Sequence, residues 1–586
     1  MLRLIKRLFL PFTLVVGTIS WLIQRQLARR VLKKSGWAEL RLEGEIVELS
    51  PQEDFRAALA RRLMRRREPR RVVLEHLRAL ANELASDEYA KGIVVRLGSL
   101  GGGWAKAQAV REALGQIRAA GREVIIFIPR HVLNREWLVA TAGTEIWMTP
   151  GGALAAIGTA SSGRFLKRTL EKFGVRVEVA AQGRFKSSPE QFTREDRSEA
   201  DRQQTQALVD ALDEALVTAT SESRSISRQE AESLFDGAPY VGEHAQKLGH
   251  VDRVVRDEDL LEDLQLHRNM KKPPQLVSAS EYLSVRRPKS PWPSKKKHVG
   301  VVEVCGTILD ERPPVMGPTG PIAIERSIVR NLRAAREDKS IGAVVLYVDS
   351  RGGSAVASDV IWSAVKRLDR EKPVIAYLAD YAASGGYYVA CGARSIIASP
   401  LTITGSIGVY SMLPTWPDLA DRWGVGRDVV KNRRHADLYD PWNGLSDEAR
   451  AHANAEVGFM YAQFLQIVAE ARDISQEQAN ELAQGRVWTG TEAHAKGLVD
   501  GLGGLQDALS SAREQAGERF NEEPVIIHSR KDHPRPEPFI KDAAQGGALW
   551  NALLVGAPPA LRELAMLWFT MRGPLRAVAY APLDVS

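Results

Sequence analysis

The feature that most constrains this chain of 586 residues is an internal repeat with a long spacing. Residues 91–104 and 340–354 each read as an apolar strand that runs into a Gly-rich turn, and Gly102 and Gly352 lie 250 positions apart. Residues 236–252 and 484–500 resemble each other at nearly the same spacing. A repeat of this length indicates a duplicated domain, because solenoid repeats recur every ~20–50 residues.

Each copy alternates apolar, β-rich runs with amphipathic stretches such as 198–220 and 446–472. This alternation predicts an α/β fold, with tandem βα domains that have mainly parallel sheets. The proline and lysine residues of the middle segment predict a linker. The predicted organisation, in chain order, is a membrane anchor helix at 1–35, an N-terminal domain at 36–270, a linker at 271–297, a C-terminal domain at 298–515 and an apolar, amphipathic tail at 516–586.

The two copies differ at positions that matter for chemistry. Ser384 lies in Y-A-A-S-G-G-Y-Y (381–388), after an apolar run and before a glycine pair. A serine at such a strand-to-helix turn exposes its hydroxyl beside the N–H groups that begin a helix. The first copy has Asn134 at this position, and it has Lys186 where the second copy has His435. Together the copies supply one Ser/Lys pair, in which a lysine made neutral by burial can serve as the base.

These motifs make the chain resemble the tandem-repeat signal peptide peptidases of serine peptidase family S49, whose fold is similar to those of Clp protease and crotonase. The resemblance covers residues from about 40 to about 510. Its most specific motifs are Y-A-A-S-G-G-Y-Y (381–388), T-G-S-I-G-V (404–409), F-K-S-S-P-E-Q-F (185–192) and D-S-R-G-G-S (349–354).

The resemblance implies a role for each residue of a catalytic site. Ser384 would be the nucleophile, Lys186 the general base, and Ser406 the serine that orients the lysine. The oxyanion hole would be formed by backbone N–H groups of Gly352, Gly353 and Gly385. Arg351 stands where the family usually has proline, so we expect a less rigid turn and a cation near the substrate entrance.

The N-terminal residues predict a membrane anchor whose orientation is ambiguous. Leu8–Ile23 is uncharged and flanked by basic residues, although its 16 residues fall short of the ~20 that span a bilayer as a helix. The stronger basic cluster lies on its C-terminal side, which by the positive-inside rule would leave the body in the cytoplasm. The resemblance instead implies a bacterial inner-membrane protein with its catalytic body on the periplasmic side.

Composition argues against several other functions. The net charge of +8 is concentrated in clusters at 61–71 and 295–297 that lack interleaved aromatics, which favours anionic lipid or solvent over nucleic acid as their partner. Cys305 and Cys391 form no disulfide or metal-binding pattern, and we expect no metal or cofactor. The apolar segment 547–572 is broken by prolines and reads as an interfacial or oligomer-packing segment.

By the same resemblance, the expected partners are cleaved signal peptides and other extended apolar peptides, a membrane, and further copies of the chain in a homotetramer. The sequence leaves open whether Lys186 meets Ser384 of its own chain.

Three alternatives stand beside the dyad peptidase. They are a crotonase-like acyl-CoA enzyme, a Clp-like Ser-His-Asp peptidase that uses His435 with Asp437 or Asp440, and a non-catalytic membrane scaffold.

Overall fold

A computed structural model describes residues 32–33, 36–50, 70–287, 296–311, 321–422, 424–442, 444–521 and 524–527, and the backbone of 578–580. The predicted anchor segment Leu8–Ile23 and the tail segment 547–572 lie outside these residues. Within the described ranges, no helix is both long enough and apolar enough to cross a membrane.

The strands are bounded as follows in chain order. The first eleven are β1 Trp37–Val47, β2 Arg71–Val73, β3 Gly92–Gly101, β4 Glu123–Ile128, β5 His131–Val132, β6 Glu145–Met148, β7 Ala153–Leu154, β8 Arg176–Gln182, β9 Tyr240–Val241, β10 Arg253–Val254 and β11 Val277–Ser278. The others are β12 His298–Cys305, β13 Thr307–Leu309, β14 Ile322–Ile324, β15 Ile341–Ser350, β16 Gly352–Ser354, β17 Val374–Ala383, β18 Ser395–Ala398, β19 Ile403–Gly405, β20 Val409–Thr415, β21 Val487–Thr489, β22 Gly501–Leu502, β23 Val525–Ile526 and β24 Val578–Tyr580.

The helices alternate with these strands. The first ten are α1 Leu74–Ser86, α2 Trp104–Ala119, α3 Asn134–Ala140, α4 Lys167–Lys172, α5 Glu190–Thr193, α6 Glu199–Arg224, α7 Arg228–Gly237, α8 Gly242–Lys247, α9 Leu260–His267 and α10 Ala279–Arg286. The others are α11 Glu325–Glu337, α12 Ala355–Asp369, α13 Gly385–Ala390, α14 Pro417–Arg422, α15 Asp447–Arg472, α16 Gln476–Leu482, α17 Gly490–Ala495 and α18 Leu505–Ala516.

The first compact unit holds the described residues up to 159 and those of 210–287. Its main sheet has the strand order β10-β6-β4-β3-β1-β11, with β2 also paired to β1, and these pairs are all parallel. A short three-stranded sheet, β5-β7-β9, belongs to the same unit. Strands such as β4 are buried along almost their whole length, as expected when a parallel sheet is covered on both faces.

The second compact unit holds 160–209 and the described residues from 296 onwards. Its main sheet runs β21-β19-β17-β15-β12-β23, with β18 between β17 and β22. These pairs are parallel except for β19 with β21. The prediction of α/β domains with mainly parallel sheets is therefore confirmed.

The division of the chain differs from the predicted boundaries at 36–270 and 298–515. Strand β8 pairs antiparallel with β20 over seven residue pairs, from Arg176 with Thr415 to Gln182 with Val409. In addition, Leu170 and Phe192 pack in one buried cluster with Tyr410 and Met412. These main-chain and apolar contacts make 160–209 part of the second unit. The lysine-bearing segment of the first copy is thus built into the unit that carries the serine.

Candidate active site

Ser384 occupies the sharp turn between strand β17 and helix α13, as the sequence predicted. Its backbone angles are φ 56° and ψ −117°, and a positive φ costs a non-glycine residue energy. The conformation is held by the Ser384 N–H, which donates to the Gly405 carbonyl at 2.7 Å, and by the Tyr388 N–H, which donates to the Ser384 carbonyl at 2.9 Å. Strained serines on strand-to-helix turns are typical of nucleophiles.

Lys186 lies directly beside this serine in the second unit. Its Nζ is 2.7 Å from Ser384 Oγ, 2.9 Å from the Ser406 carbonyl oxygen and 3.0 Å from Ser406 Oγ. Lys186 is 5% exposed and Ser384 is 0% exposed. The structure therefore brings together, within one chain, the three side chains that the sequence singled out.

The surroundings of Lys186 favour its neutral form. Burial lowers the pKa of its amine well below the ordinary value, because removal from water disfavours the charged state. A neutral amine has two N–H donors and one lone pair. The Ser406 carbonyl and Ser406 Oγ can accept the two donors, which leaves the lone pair directed at the Ser384 hydroxyl. This arrangement is suited to removing the serine proton.

The loop that carries Lys186 is held by neighbours that the sequence did not reveal. Gln204 of helix α6 donates through Nε2 to the Phe185 carbonyl at 3.0 Å and to Ser187 Oγ at 2.8 Å. The Phe185 N–H donates to the Gln484 carbonyl at 2.7 Å. Gly485 approaches so closely that a Cβ there would lie 2.6 Å from the Lys186 nitrogen. Gln204 is only 3% exposed. Its role could be predicted from the sequence only if the buried face of the amphipathic helix α6 were already known.

The position of Ser406 is set by the conformation and the hydrogen bonding of its own backbone. It lies between strands β19 and β20 with φ 52°, and its N–H donates to the Arg486 carbonyl at 2.7 Å. The Arg486 guanidinium in turn lies over the rings of Phe185 and Trp488, 5.2 Å and 4.3 Å from their centroids. Phe185, which precedes Lys186, and Arg486, whose carbonyl accepts the Ser406 N–H, therefore belong to one cation–π stack.

The Gly-rich turn contributes differently from the prediction that Gly352, Gly353 and Gly385 all donate to an oxyanion. The Gly352 N–H donates to Ser350 Oγ at 3.1 Å, and Ser350 Oγ donates to the Gly306 carbonyl at 2.6 Å. Gly353 and Gly385 come close together, since a Cβ on Gly385 would lie 3.3 Å from the Gly353 nitrogen. The Gly352 N–H is therefore occupied by Ser350. The N–H groups of Gly353 and Gly385 remain as the candidate oxyanion donors.

Arg351, which stands where the family resemblance implies proline, packs against Tyr381. Its guanidinium lies 4.2 Å from the centroid of the Tyr381 ring. Tyr381 itself packs against the buried side chains of Leu208, Ile403 and Val487. The stacked arginine thus restrains the turn by a cation–π contact where a proline would restrain it by its ring.

The residues of the alternative Ser-His-Asp arrangement lie elsewhere. The His435 side chain is 43% exposed, and its Nε2 is 3.5 Å from Glu448 Oε1. Asp437 pairs with Lys431 at 2.7 Å, and Asp440 pairs with Arg427. The Ser384 hydroxyl has Lys186 Nζ as its neighbour instead.

Asn134, at the corresponding position of the first unit, has a structural role there. Its Nδ2 donates to the Gly158 carbonyl at 2.8 Å, and its Oδ1 accepts from the Ile157 N–H at 3.0 Å. The amide thus ties the start of helix α3 to the segment that follows strand β7.

Asn134→Ala is expected to lower the free energy of unfolding by about 1 kcal/mol, because two partly exposed backbone groups exchange the side-chain amide for water. Peptidase activity of the folded protein should be unchanged, since the serine and lysine belong to the second unit. Urea denaturation and a peptide assay measure the two effects. A loss of activity without a loss of stability would assign Asn134 to the catalytic site.

A serine on a strained strand-to-helix turn of a parallel α/β framework, with a buried lysine and a glycine pair beside it, is an arrangement typical of serine hydrolases. The profile of Peptidase family S49 matches this chain twice, at residues 118–271 and 366–519. The chain belongs to this family, is a serine peptidase, and carries the family domain in tandem as predicted.

Relatives that align with most of this chain show the same similarity. The chain is 29% identical to "Protease 4" of Salmonella typhi over 548 residues, covering 90% of this chain and 86% of the relative. It is 27% identical to "Serine protease SPPA, chloroplastic" of Arabidopsis thaliana over 465 residues, covering 79% and 68%. Among solved structures, a ClpP1 mutant from Listeria monocytogenes matches 36% of this chain and 94% of its own at 15% identity, with a TM-score of 0.24 that is too low for a fold argument.

Proposed function

We propose that this serine peptidase works through a Ser384/Lys186 dyad and an acyl-enzyme. The observation that carries the proposal is the 2.7 Å separation of Lys186 Nζ and Ser384 Oγ in a buried setting that lowers the lysine pKa. A serine hydroxyl becomes a competent nucleophile when an adjacent base takes its proton. Serine–lysine pairs are a recurrent form of this arrangement.

The chemistry follows from the positions of these atoms. Ser384 Oγ attacks the peptide carbonyl carbon while its proton passes to the Lys186 amine. The oxyanion accepts hydrogen bonds from the Gly353 and Gly385 N–H groups. Lys186 then gives the proton to the leaving amine as the C–N bond breaks. Water then attacks the ester carbonyl carbon while the same lysine takes its proton, and the lysine passes that proton to Ser384 Oγ as the acyl C–O bond breaks and the acid product leaves.

Ser406 acts as the positioning residue in this scheme. Its carbonyl and hydroxyl occupy the two amine hydrogens, so the lone pair of Lys186 faces Ser384. A strained backbone at Ser406, φ 52°, keeps both oxygens on the same side of the amine. Stored strain of this kind recurs where a site must be held ready before substrate arrives.

The substrates we propose are cleaved signal peptides and other extended apolar peptides. The support comes from strand β16, which contains Gly352 and Gly353 and pairs antiparallel with β24, Val578–Tyr580, of the same chain. Since β13 pairs with the other side of β16, β24 occupies the position where an extended peptide substrate would add to the glycine-bearing strand by β-augmentation, and a substrate would have to displace it. Main-chain hydrogen bonds would then join the substrate strand to the catalytic turn.

The proposed setting is a homotetramer in the bacterial inner membrane, anchored through residues 1–35, with its body on the periplasmic side. This rests on the apolar run Leu8–Ile23 and on the family resemblance. Protease added to intact spheroplasts should degrade the catalytic body. Protection until the membrane is permeabilised would place the body in the cytoplasm, as the flanking arginines suggest.

The test of the proposed function is hydrolysis of a fluorogenic apolar peptide by the purified full chain. Ser384→Ala should abolish it. The matched control is Ser411→Ala, which alters another buried serine whose hydroxyl has no hydrogen-bond partner among the described residues. His435→Ala should also keep full activity. Activity that survives Ser384→Ala would favour the scaffold alternative, and activity lost with His435→Ala would favour the Ser-His-Asp alternative.

A further inference from the structure

Three potential metal ligands meet in the second unit, apart from the serine and lysine. One ligand atom each from His435, Glu448 and His452 lies within 4.8 Å of the other two. His435 Nε2 is 3.5 Å from Glu448 Oε1, and the two imidazole rings stand edge to face with centroids 5.1 Å apart. Each of the three side chains therefore presents a donor atom toward the same small volume.

The local fold explains this convergence. Helix α15 begins after Ser446, whose Oγ accepts a hydrogen bond from the Ala449 N–H at 3.1 Å. Glu448 and His452 are four residues apart in the first turns of the helix and so share a face. His435 arrives from the preceding segment 424–442, whose residues 426–434 are all exposed. The ligands thus join a surface segment to the start of a long helix.

The charges around the cluster leave one carboxylate oxygen directed at the histidines. Arg434 Nη2 lies 3.0 Å from Glu448 Oε2, on the other oxygen of the same carboxylate. Two other cations of the segment have their own acidic partners: Lys431 pairs with Asp437, and Arg427 pairs with Asp440. Arg434 can therefore fix the orientation of Glu448 while Oε1 remains available to an ion.

Against the expectation from the sequence that the chain binds no metal, we propose that His435, Glu448 and His452 bind a divalent transition-metal ion, with Zn²⁺ as the best chemical match. Two imidazoles and one carboxylate are ligands that Zn²⁺ accepts, with water as the fourth. Tetrahedral zinc holds such donor atoms about 3.3 Å apart. The His435–Glu448 pair is near this separation, and the exposed side chains need small rotations to bring the third ligand in.

The ion has a structural role in this proposal. Ser384 already has Lys186 as its neighbouring base, so the cluster is not needed for the peptidase chemistry. A bound ion would instead cross-link segment 424–442 to helix α15. The expected consequence is that Zn²⁺ makes the segment rigid and resistant to proteolysis.

The test is titration of the metal-free full chain with Zn²⁺, followed by calorimetry. We expect one high-affinity equivalent in the wild-type protein and at least a tenfold weaker affinity in His435→Ala and in His452→Ala. The control is His494→Ala, which removes an exposed histidine of helix α17 and should leave binding unchanged. No binding by the wild-type protein, or equal binding by the His435→Ala/His452→Ala double variant, would overturn the proposal.

A second measurement separates this site from adventitious binding elsewhere. Trypsin can cut segment 424–442 after Arg427, Lys431, Arg433 and Arg434, which are exposed or lie in an exposed run. Zn²⁺ should slow these cuts several-fold in the wild-type protein and have no effect in the double variant. Peptide hydrolysis should be equal with and without Zn²⁺. Cleavage that is insensitive to Zn²⁺ in the wild-type protein would show that the ion does not bridge the segment and the helix.

Discussion

Lys186→Met is expected to lower kcat for peptide hydrolysis by about 10²–10⁴-fold, the contribution usual for a general base. Methionine has nearly the length of lysine and suits a buried position, so the fold should be kept while the lone pair that faces Ser384 is lost. The measurement is kcat and KM on a fluorogenic peptide. A variant that retains wild-type kcat would show that another group activates the serine.

The same substitution should change the pH dependence of both activity and stability. Because the lysine pKa is lowered in the folded protein, wild-type kcat/KM should fall as the pH drops through that lowered pKa, and the residual rate of Lys186→Met should lack this step. Between the lowered pKa and the ordinary one, the unfolded chain binds a proton that the folded chain does not. Wild-type stability therefore rises with pH across this window.

From this sign we expect the stability difference between the wild-type protein and Lys186→Met to shift towards the wild-type protein as the pH rises to the ordinary lysine pKa, in addition to a pH-independent cost in the variant from the lost hydrogen bonds to Ser406. Lys372→Met is the matched control, since burial lowers the pKa of Lys372 as well. Its amine donates to the Ala335 and Asp338 carbonyls, at 2.8 Å and 2.6 Å. That control should lose stability and keep its activity.

The second large effect is expected for Gly385→Ala. This substitution should lower kcat by about 10²–10³-fold, the usual effect of losing one oxyanion donor. The added Cβ would lie 2.5 Å from Ser358 Oγ and 3.3 Å from the Gly353 nitrogen. It would therefore crowd the helix behind the turn and also cover the second oxyanion donor. Steady-state kinetics should show the loss in kcat more than in KM.

A second-site variant separates crowding from chemistry. Ser358→Ala removes the hydroxyl that the new Cβ would meet, and by itself deletes only the hydrogen bond to the Ser354 carbonyl. The Gly385→Ala/Ser358→Ala protein should regain thermal stability but not activity, because the Cβ still lies over the Gly353 N–H. Full recovery of activity in the double variant would show that Gly353 and Gly385 do not form the oxyanion site.

The local architecture of the site followed from the sequence. The apolar run, the serine and the glycine pair predicted the strand-to-helix turn at Ser384, because small residues and a helix start permit this backbone. The comparison of the two copies predicted that Lys186 complements Ser384. That inference required only that Asn134 cannot be a nucleophile and that the second copy lacks the lysine.

The relations between distant segments did not follow from the sequence. The repeat suggested that Lys186 belongs to a separate N-terminal domain, whereas the β8–β20 ladder places it in the serine's own unit. A pairing between strands more than two hundred residues apart depends on the register of the whole sheet and leaves no local pattern. The hydrogen bond from Gly352 to Ser350 and the stacking of Arg351 on Tyr381 are likewise contacts of folded neighbours.

Covalent labelling of Ser384 tests the central claim most directly. A fluorophosphonate should add once to the wild-type protein, the modified peptide should contain Ser384, and the labelling rate should fall as the pH drops through the lowered lysine pKa. Labelling of Lys186→Met should be slow at every pH, and Ser384→Ala should not be labelled. A label on another residue, or a rate that does not depend on Lys186, would contradict the account of a serine activated by a buried lysine.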